Sequence, residues 1–125
     1  MHVTRYVYPA LFSWNPERTS SKLQLDEDSL VCTSKEGSGF KTTIGTEIFL
    51  AGGRYYFELF INKGQLIKIG VCRPNIVNLE EAFSDNPNGW GIYNGETRHN
   101  SNSTGPKYGK QLTSGDTLGV SVDMI

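Results

Sequence analysis

The sequence predicts an all-β protein, an antiparallel β-sandwich, on three observations. Apolar residues recur at every second position in several short runs, most clearly in Arg54-Tyr-Tyr-Phe-Glu-Leu-Phe-Ile61. Fourteen Gly and five Pro punctuate the chain between those runs. Aromatic residues make up 11% of the chain within a hydrophobic total of only 37%, so the core must be built from a few large side chains between many turns. The 125 residues suit one core and not two. Surface scaling gives about 6,700 Å² exposed in the fold against about 20,000 Å² in the open chain.

Residues 1–10 read as an N-terminal extension and residues 11–125 as the domain. Leu23-Gln-Leu25 and Leu30-Val-Cys32 are short strands joined through the polar turn Asp26-Glu-Asp28-Ser29, a hairpin pattern. A loop over residues 34–39 leads to a mixed strand over 40–45, and Gly52-Gly53 turns the chain into its strongest strand, 54–61. There Tyr55, Phe57, Leu59 and Ile61 share the core face. Asn62-Lys-Gly64 is expected to be a tight turn, with residues 66–72 returning as the partner strand, Ile67, Ile69 and Val71 inward and Lys68 outward. Residues 78–83 carry the chain's one helical hint, with Asn78 placed as N-cap and Glu81 as its capping-box partner. Gly89 and Gly91 flank Trp90 where turns or a neighbouring ring need space, and residues 100–105 form a polar loop. Finally Leu118, Val120, Val122 and Met124 alternate, as a buried face, with Thr117, Gly119, Ser121 and Asp123.

Charge and motif content narrow the function. Twelve Lys and Arg against thirteen Asp and Glu give a formal charge of −1, without the basic footprint that nucleic-acid binding needs. No apolar run approaches ~18 residues, so no membrane span is expected. The first residues lack the apolar core of a signal peptide, which points to the cytoplasm or nucleus and to Cys32 and Cys72 as reduced, buried groups. Asp26 and Asp28 resemble the start of a calcium loop, but the glycine and distal glutamate are missing, and a solvated turn is the plainer reading. His2 and His99 are the only histidines, and no G-x-S-x-G elbow accompanies them, so neither catalysis nor a cofactor is expected. Asn102-Ser-Thr104 fits a glycosylation sequon by composition of its loop. What remains is binding through loops held at the end of a rigid sandwich. A saccharide-binding, lectin-like sandwich is the alternative use of such aromatic and Asn-rich loops.

An ordered set of motifs carries a resemblance. Leu11-Phe-Ser-Trp-Asn-Pro16 is followed by Leu23 and Leu25, then by Gly53-Arg-Tyr-Tyr-Phe-Glu58, Ile69-Gly-Val-Cys-Arg73, Gly89-Trp-Gly-Ile92, Tyr108-Gly109 and Gly115-Asp-Thr-Leu-Gly-Val120 with Val122-Asp-Met124. In this order they resemble the strands of a SPRY domain of the B30.2/SPRY-like family. The resemblance implies a bent, concanavalin-like sandwich of two antiparallel sheets. It also implies a non-catalytic module that binds peptides or protein surfaces, in settings such as substrate selection by ubiquitin ligases or adaptors. By loop position the ligand surface falls on residues 33–40 and 74–83. Lys35, Glu36, Arg73, Asn75 and Asn78 are then its polar candidates, Ile76, Val77 and Leu79 its apolar ones, and Gly37 its flexible point. Trp14 and Trp90 match positions that are mainly structural. The family's pattern continues past the Asp-Met pair into a hairpin and further strands. The expectation is therefore a sandwich incomplete at its C-terminal side, prone to self-association or strand swapping.

Overall fold

In the computed structural model the described residues are 12–35, 37, 39–64, 66–75 and 78–125, together with the backbone of 2–5. They are all-β, without a helix among them. The strands are β1 (His2–Arg5), β2 (Trp14–Thr19), β3 (Leu23–Leu25), β4 (Cys32–Ser34), β5 (Thr43–Gly45), β6 (Arg54–Phe60), β7 (Ile69–Cys72), β8 (Gly89–Tyr93), β9 (Glu96–His99) and β10 (Thr117–Asp123). Every pairing is antiparallel: β1-β6-β10 and β7-β8-β9 form three-stranded sheets, while β2-β5 and β3-β4 are two-stranded.

The centre of the first sheet is β6. Its alternation turns Phe57 and Leu59 into the core, and Ile61 just beyond it is fully buried. β10 runs beside it in an unbroken register, Leu118 opposite Leu59, Val120 opposite Phe57 and Val122 opposite Tyr55, so both strands bury the same face. The second sheet meets them face to face through Ile69 and Ile92, and Trp14 of β2 closes the same cluster. This face-to-face burial of alternating side chains makes the fold a β-sandwich.

Several expectations change. Residues 66–72 do not pair with β6. Both sides of β6 are taken by β1 and β10, and β7 pairs with β8 in the opposite sheet. Ile67 and Ile69 join the core as expected, but across it from Phe57 rather than beside it, while Val71 is half-buried. Lys68 does not point to solvent: its side chain is only 5% exposed and lies 3.2 Å from Asp85. Met124 is 41% exposed, beyond the last residue paired to β6. The return strand of the first hairpin begins at Cys32 rather than Leu30, because Asp26 Oδ1 accepts the amides of Leu30 and Val31 and holds them in the turn.

Residues 78–83 make turns, not a helix. Asn78 Oδ1 does accept the Glu80 amide at 3.0 Å, the local geometry of a cap. The carbonyls that would start a helix go elsewhere: Leu79 O to the Thr42 amide, Glu80 O to Lys41 Nζ and Glu81 O to Thr42 Oγ1. The Glu81 carboxylate accepts from Asn86 Nδ2 instead of closing a capping box.

The accessible surface is 7778 Å², larger than the scaling value by about 1,000 Å². Much of the inner surface between the sheets lines an open cleft of about 880 Å³.

Candidate functional site

The two segments singled out as a ligand surface are neighbours. Residues 41 and 42, which follow the first, are tied to residues 79–81 of the second by the Thr42 amide on Leu79 O (2.9 Å), Thr42 Oγ1 on Glu81 O (2.6 Å) and Lys41 Nζ on Glu80 O (3.0 Å). Thr42 is buried, so two of these bonds are formed away from water, where they hold best. The second segment is also anchored from below. The backbone and ring of Phe83 lie against Gly89 and Gly91, leaving no room for a Cβ at either glycine. Those glycines therefore make room for a ring, one of the two roles expected of them.

Lys35 is exposed; its amide donates to Lys22 O and its Nζ to Ser21 O at 2.9 Å, which ties the start of the first loop to the turn before β3. Gly37 is exposed with φ +75°, a left-handed conformation that suits glycine. Arg73 and Asn75 are exposed at the end of β7, as is Asn78, while Leu79 is half-buried. Glu36, Ile76 and Val77 lie outside the described residues.

The structure adds an aromatic cluster that periodicity did not isolate. Trp90, expected as an anchoring residue, is 39% exposed. The His99 ring stacks on it at 4.6 Å and 6°, and the Arg73 guanidinium lies 5.2 Å from its ring centre. Arg73 also reaches Asn88 Oδ1 at 3.4 Å, and His99 Nδ1 is held by Gly89 O at 2.8 Å. The cross-strand register pairs Val71 with Trp90 and Trp90 with His99, which is why these side chains share one face. The signal in the sequence was the alternation of β8 and β9, but it requires the pairing of β8 with both neighbours to be read.

Two buried cations are paired. Lys68, beside Asp85, lies over the rings of Phe40 and Tyr93 at 4.3 and 5.3 Å. The buried Arg98 pairs with Glu96 at 2.7 Å and covers Tyr93. Cys32 and Cys72 are half-buried thiols at the ends of β4 and β7. Burial pushes both above the ordinary thiol range, offset in part at Cys72 by the Arg18 guanidinium. Among the described residues no cluster of three or more His, Cys, Asp or Glu could hold a metal ion. None of the described helices could cross a membrane, since the described residues contain none.

The SPRY domain family model matches residues 54–125, more than half of the chain and every strand from β6 to β10. The chain belongs to the SPRY domain family. No curated protein matches it. SPRY domains are in general protein-interaction modules, and the matched span includes loop 74–83 with Arg73, Trp90 and His99 around it.

Proposed function

We propose that this SPRY domain is a non-catalytic recognition module, acting inside the cell, that binds a short peptide segment of a partner through loops 33–40 and 74–83. Its setting is substrate selection within a ubiquitin-ligase or adaptor assembly. The observation that supports this reading most is the three-bond tie between residues 41–42 and 79–81. It tethers residues 79–81 of the second loop to the residues that directly follow the first, so a ligand meets neighbouring, joined segments. Arg73, Asn75 and Asn78 supply exposed hydrogen-bonding groups on that surface, and Trp90 beside Arg73 supplies the aromatic contact area typical of binding hot spots. His99 is engaged with Trp90 and Gly89, an arrangement that suits support of the tryptophan better than proton transfer.

A peptide array tests this, followed by titration of the best binder against Lys35→Ala, Asn75→Ala, Asn78→Ala and Leu79→Ser. Each loop variant is expected to weaken binding at least about fivefold, ~1 kcal/mol, with an unchanged thermal unfolding profile. A set of variants that all bind like the parent removes the loops as the ligand surface. A glycan array run in parallel is expected to be blank; selective saccharide binding would replace this reading with a lectin-like one.

A further inference from the structure

Strand β8 is bounded at both ends by the dipeptide Asn-Gly: Asn88-Gly89 where it begins and Asn94-Gly95 where it turns into β9. Asparagine is chemically labile, and most so before glycine, whose nitrogen has no side chain beside it to keep the asparagine amide away. The two copies stand in opposite surroundings. At the first, the Asn88 amide donates to Asn86 Oδ1 at 2.8 Å, its carbonyl accepts the Arg73 amide at 2.8 Å, and its Oδ1 accepts from Arg73 Nη1 at 3.4 Å. Gly89 is buried, and the backbone and ring of Phe83 fill the space where a Cβ would stand. Any attack by the Gly89 nitrogen has to wait for a local opening that lifts Phe83 off the sheet.

The second copy is open. The register pairs Tyr93 with Glu96, so Asn94 and Gly95 are the whole of a two-residue hairpin loop. Their φ angles of 53° and 72° are the left-handed pair that a type I′ turn requires. Asn94 is exposed, and neither its side chain nor the Gly95 amide makes a hydrogen bond among the described residues. The turn still holds something in place. Gly95 O accepts the Tyr108 amide at 2.7 Å, and Pro106 O accepts the Thr97 amide at 2.8 Å, which fixes residues 106–108 against the hairpin.

We propose that Asn94-Gly95 is a self-modification site whose conversion to isoaspartate loosens residues 106–108 from the β8–β9 turn. The Gly95 nitrogen attacks Asn94 Cγ: the N–Cγ bond forms, the Cγ–Nδ2 bond breaks, and ammonia leaves with the Gly95 amide proton. Water then opens the succinimide at either carbonyl, giving aspartate or isoaspartate, with no change of oxidation state. Isoaspartate carries one more methylene in the main chain. The loop then loses the length and handedness of a two-residue turn, and Gly95 O moves away from the Tyr108 amide. This site is independent of the loop surface proposed above.

The test incubates the folded domain for weeks at neutral pH, with the guanidinium-unfolded chain in parallel. Conversion is read by labelling with protein-isoaspartate methyltransferase and by fragmentation of the tryptic peptide 69–98, which holds both copies because Pro74 follows Arg73. In the fold Asn94 is expected to convert at least about tenfold faster than Asn88, and in the unfolded chain the two rates converge. Equal conversion in the fold, or conversion at Asn88 first, overturns the assignment. So does an Asn94 that stays intact in the fold while it converts in the unfolded chain. The Asn94→Gly variant keeps a residue suited to positive φ and is expected to abolish the labelling of the folded domain; labelling that persists places the reaction elsewhere and overturns the site. Faster amide exchange at Tyr108 and Thr97 is expected in the converted chain. Exchange equal to that of Asn94→Gly overturns the loosening.

Discussion

Lys68 carries an ammonium group into the junction of the two loops with β8, where Asp85 Oδ1 lies 3.2 Å away and the rings of Phe40 and Tyr93 flank it. Its side chain is 5% exposed and that of Asp85 21%, so the pair is worth more in maintaining neutrality than in net attraction. Asp85→Asn leaves the buried cation without a counter-charge and is expected to cost about 2 kcal/mol. Lys68→Met keeps an unbranched side chain under both rings and is expected to cost less than half as much. Urea denaturation of the two variants makes the comparison, and equal losses would show that the charge pairing is not what matters there. The exposed pair Arg54–Asp123, at 3.6 Å across β6 and β10, contributes little by the same reasoning.

At the scale of elements, the segment 78–83 shows how tertiary contacts displace a local preference. Its cap geometry at Asn78 is present, but the next carbonyls bind Thr42 and Lys41 before a helical amide can reach them. Thr42→Val removes the bond to Glu81 O and is expected to cost about 1–2 kcal/mol. Faster amide exchange confined to the neighbourhood of residues 79–82, with weaker peptide binding, is the signature to measure. An unchanged exchange pattern would deny Thr42 its clamping role.

The strands with a clean two-residue alternation were legible from the sequence alone. The inward faces of β6 and β10 follow from Tyr55, Phe57 and Leu59 and from Leu118, Val120 and Val122, and the ring beside Gly89 and Gly91 is one of the two roles the sequence left open for them. Pairing was not legible, because Asn62-Lys-Gly64 has turn chemistry whichever sheet the chain enters next. With the pairing went the site: the Arg73–Trp90–His99 stack exists only once β8 lies beside both β7 and β9.

At the scale of the whole molecule, the core is thin: Trp14, Phe57, Leu59 and Ile69 form its buried cluster, with many partly exposed side chains around them. Cys32 and Cys72 belong to the partly exposed layer, and burial raises both thiols. In the unfolded chain a thiol loses its proton near ~8.5, earlier than in the fold, so the unfolded state binds fewer protons above that pH. Stability should be level below that range and fall as pH rises through it, and Cys32→Ala/Cys72→Ala should flatten the fall. Chemical denaturation at pH 7 and 9.5 checks this, and an equal fall in both proteins would assign it to other groups.

The strand order β1-β6-β10 also bears on how the chain is made. β6 holds Glu58 between Thr4 and Gly119, residues from opposite ends of the sequence. During synthesis β1 can settle on one side of β6 soon after it emerges. The other side waits until Thr117 and its neighbours appear, some 3–11 s later at ordinary elongation rates of ~5–20 residues per second. For that interval the ribosome-bound chain displays its most aromatic strand with one open side. The nascent chain is thus most in need of a chaperone between the emergence of β6 and that of β10.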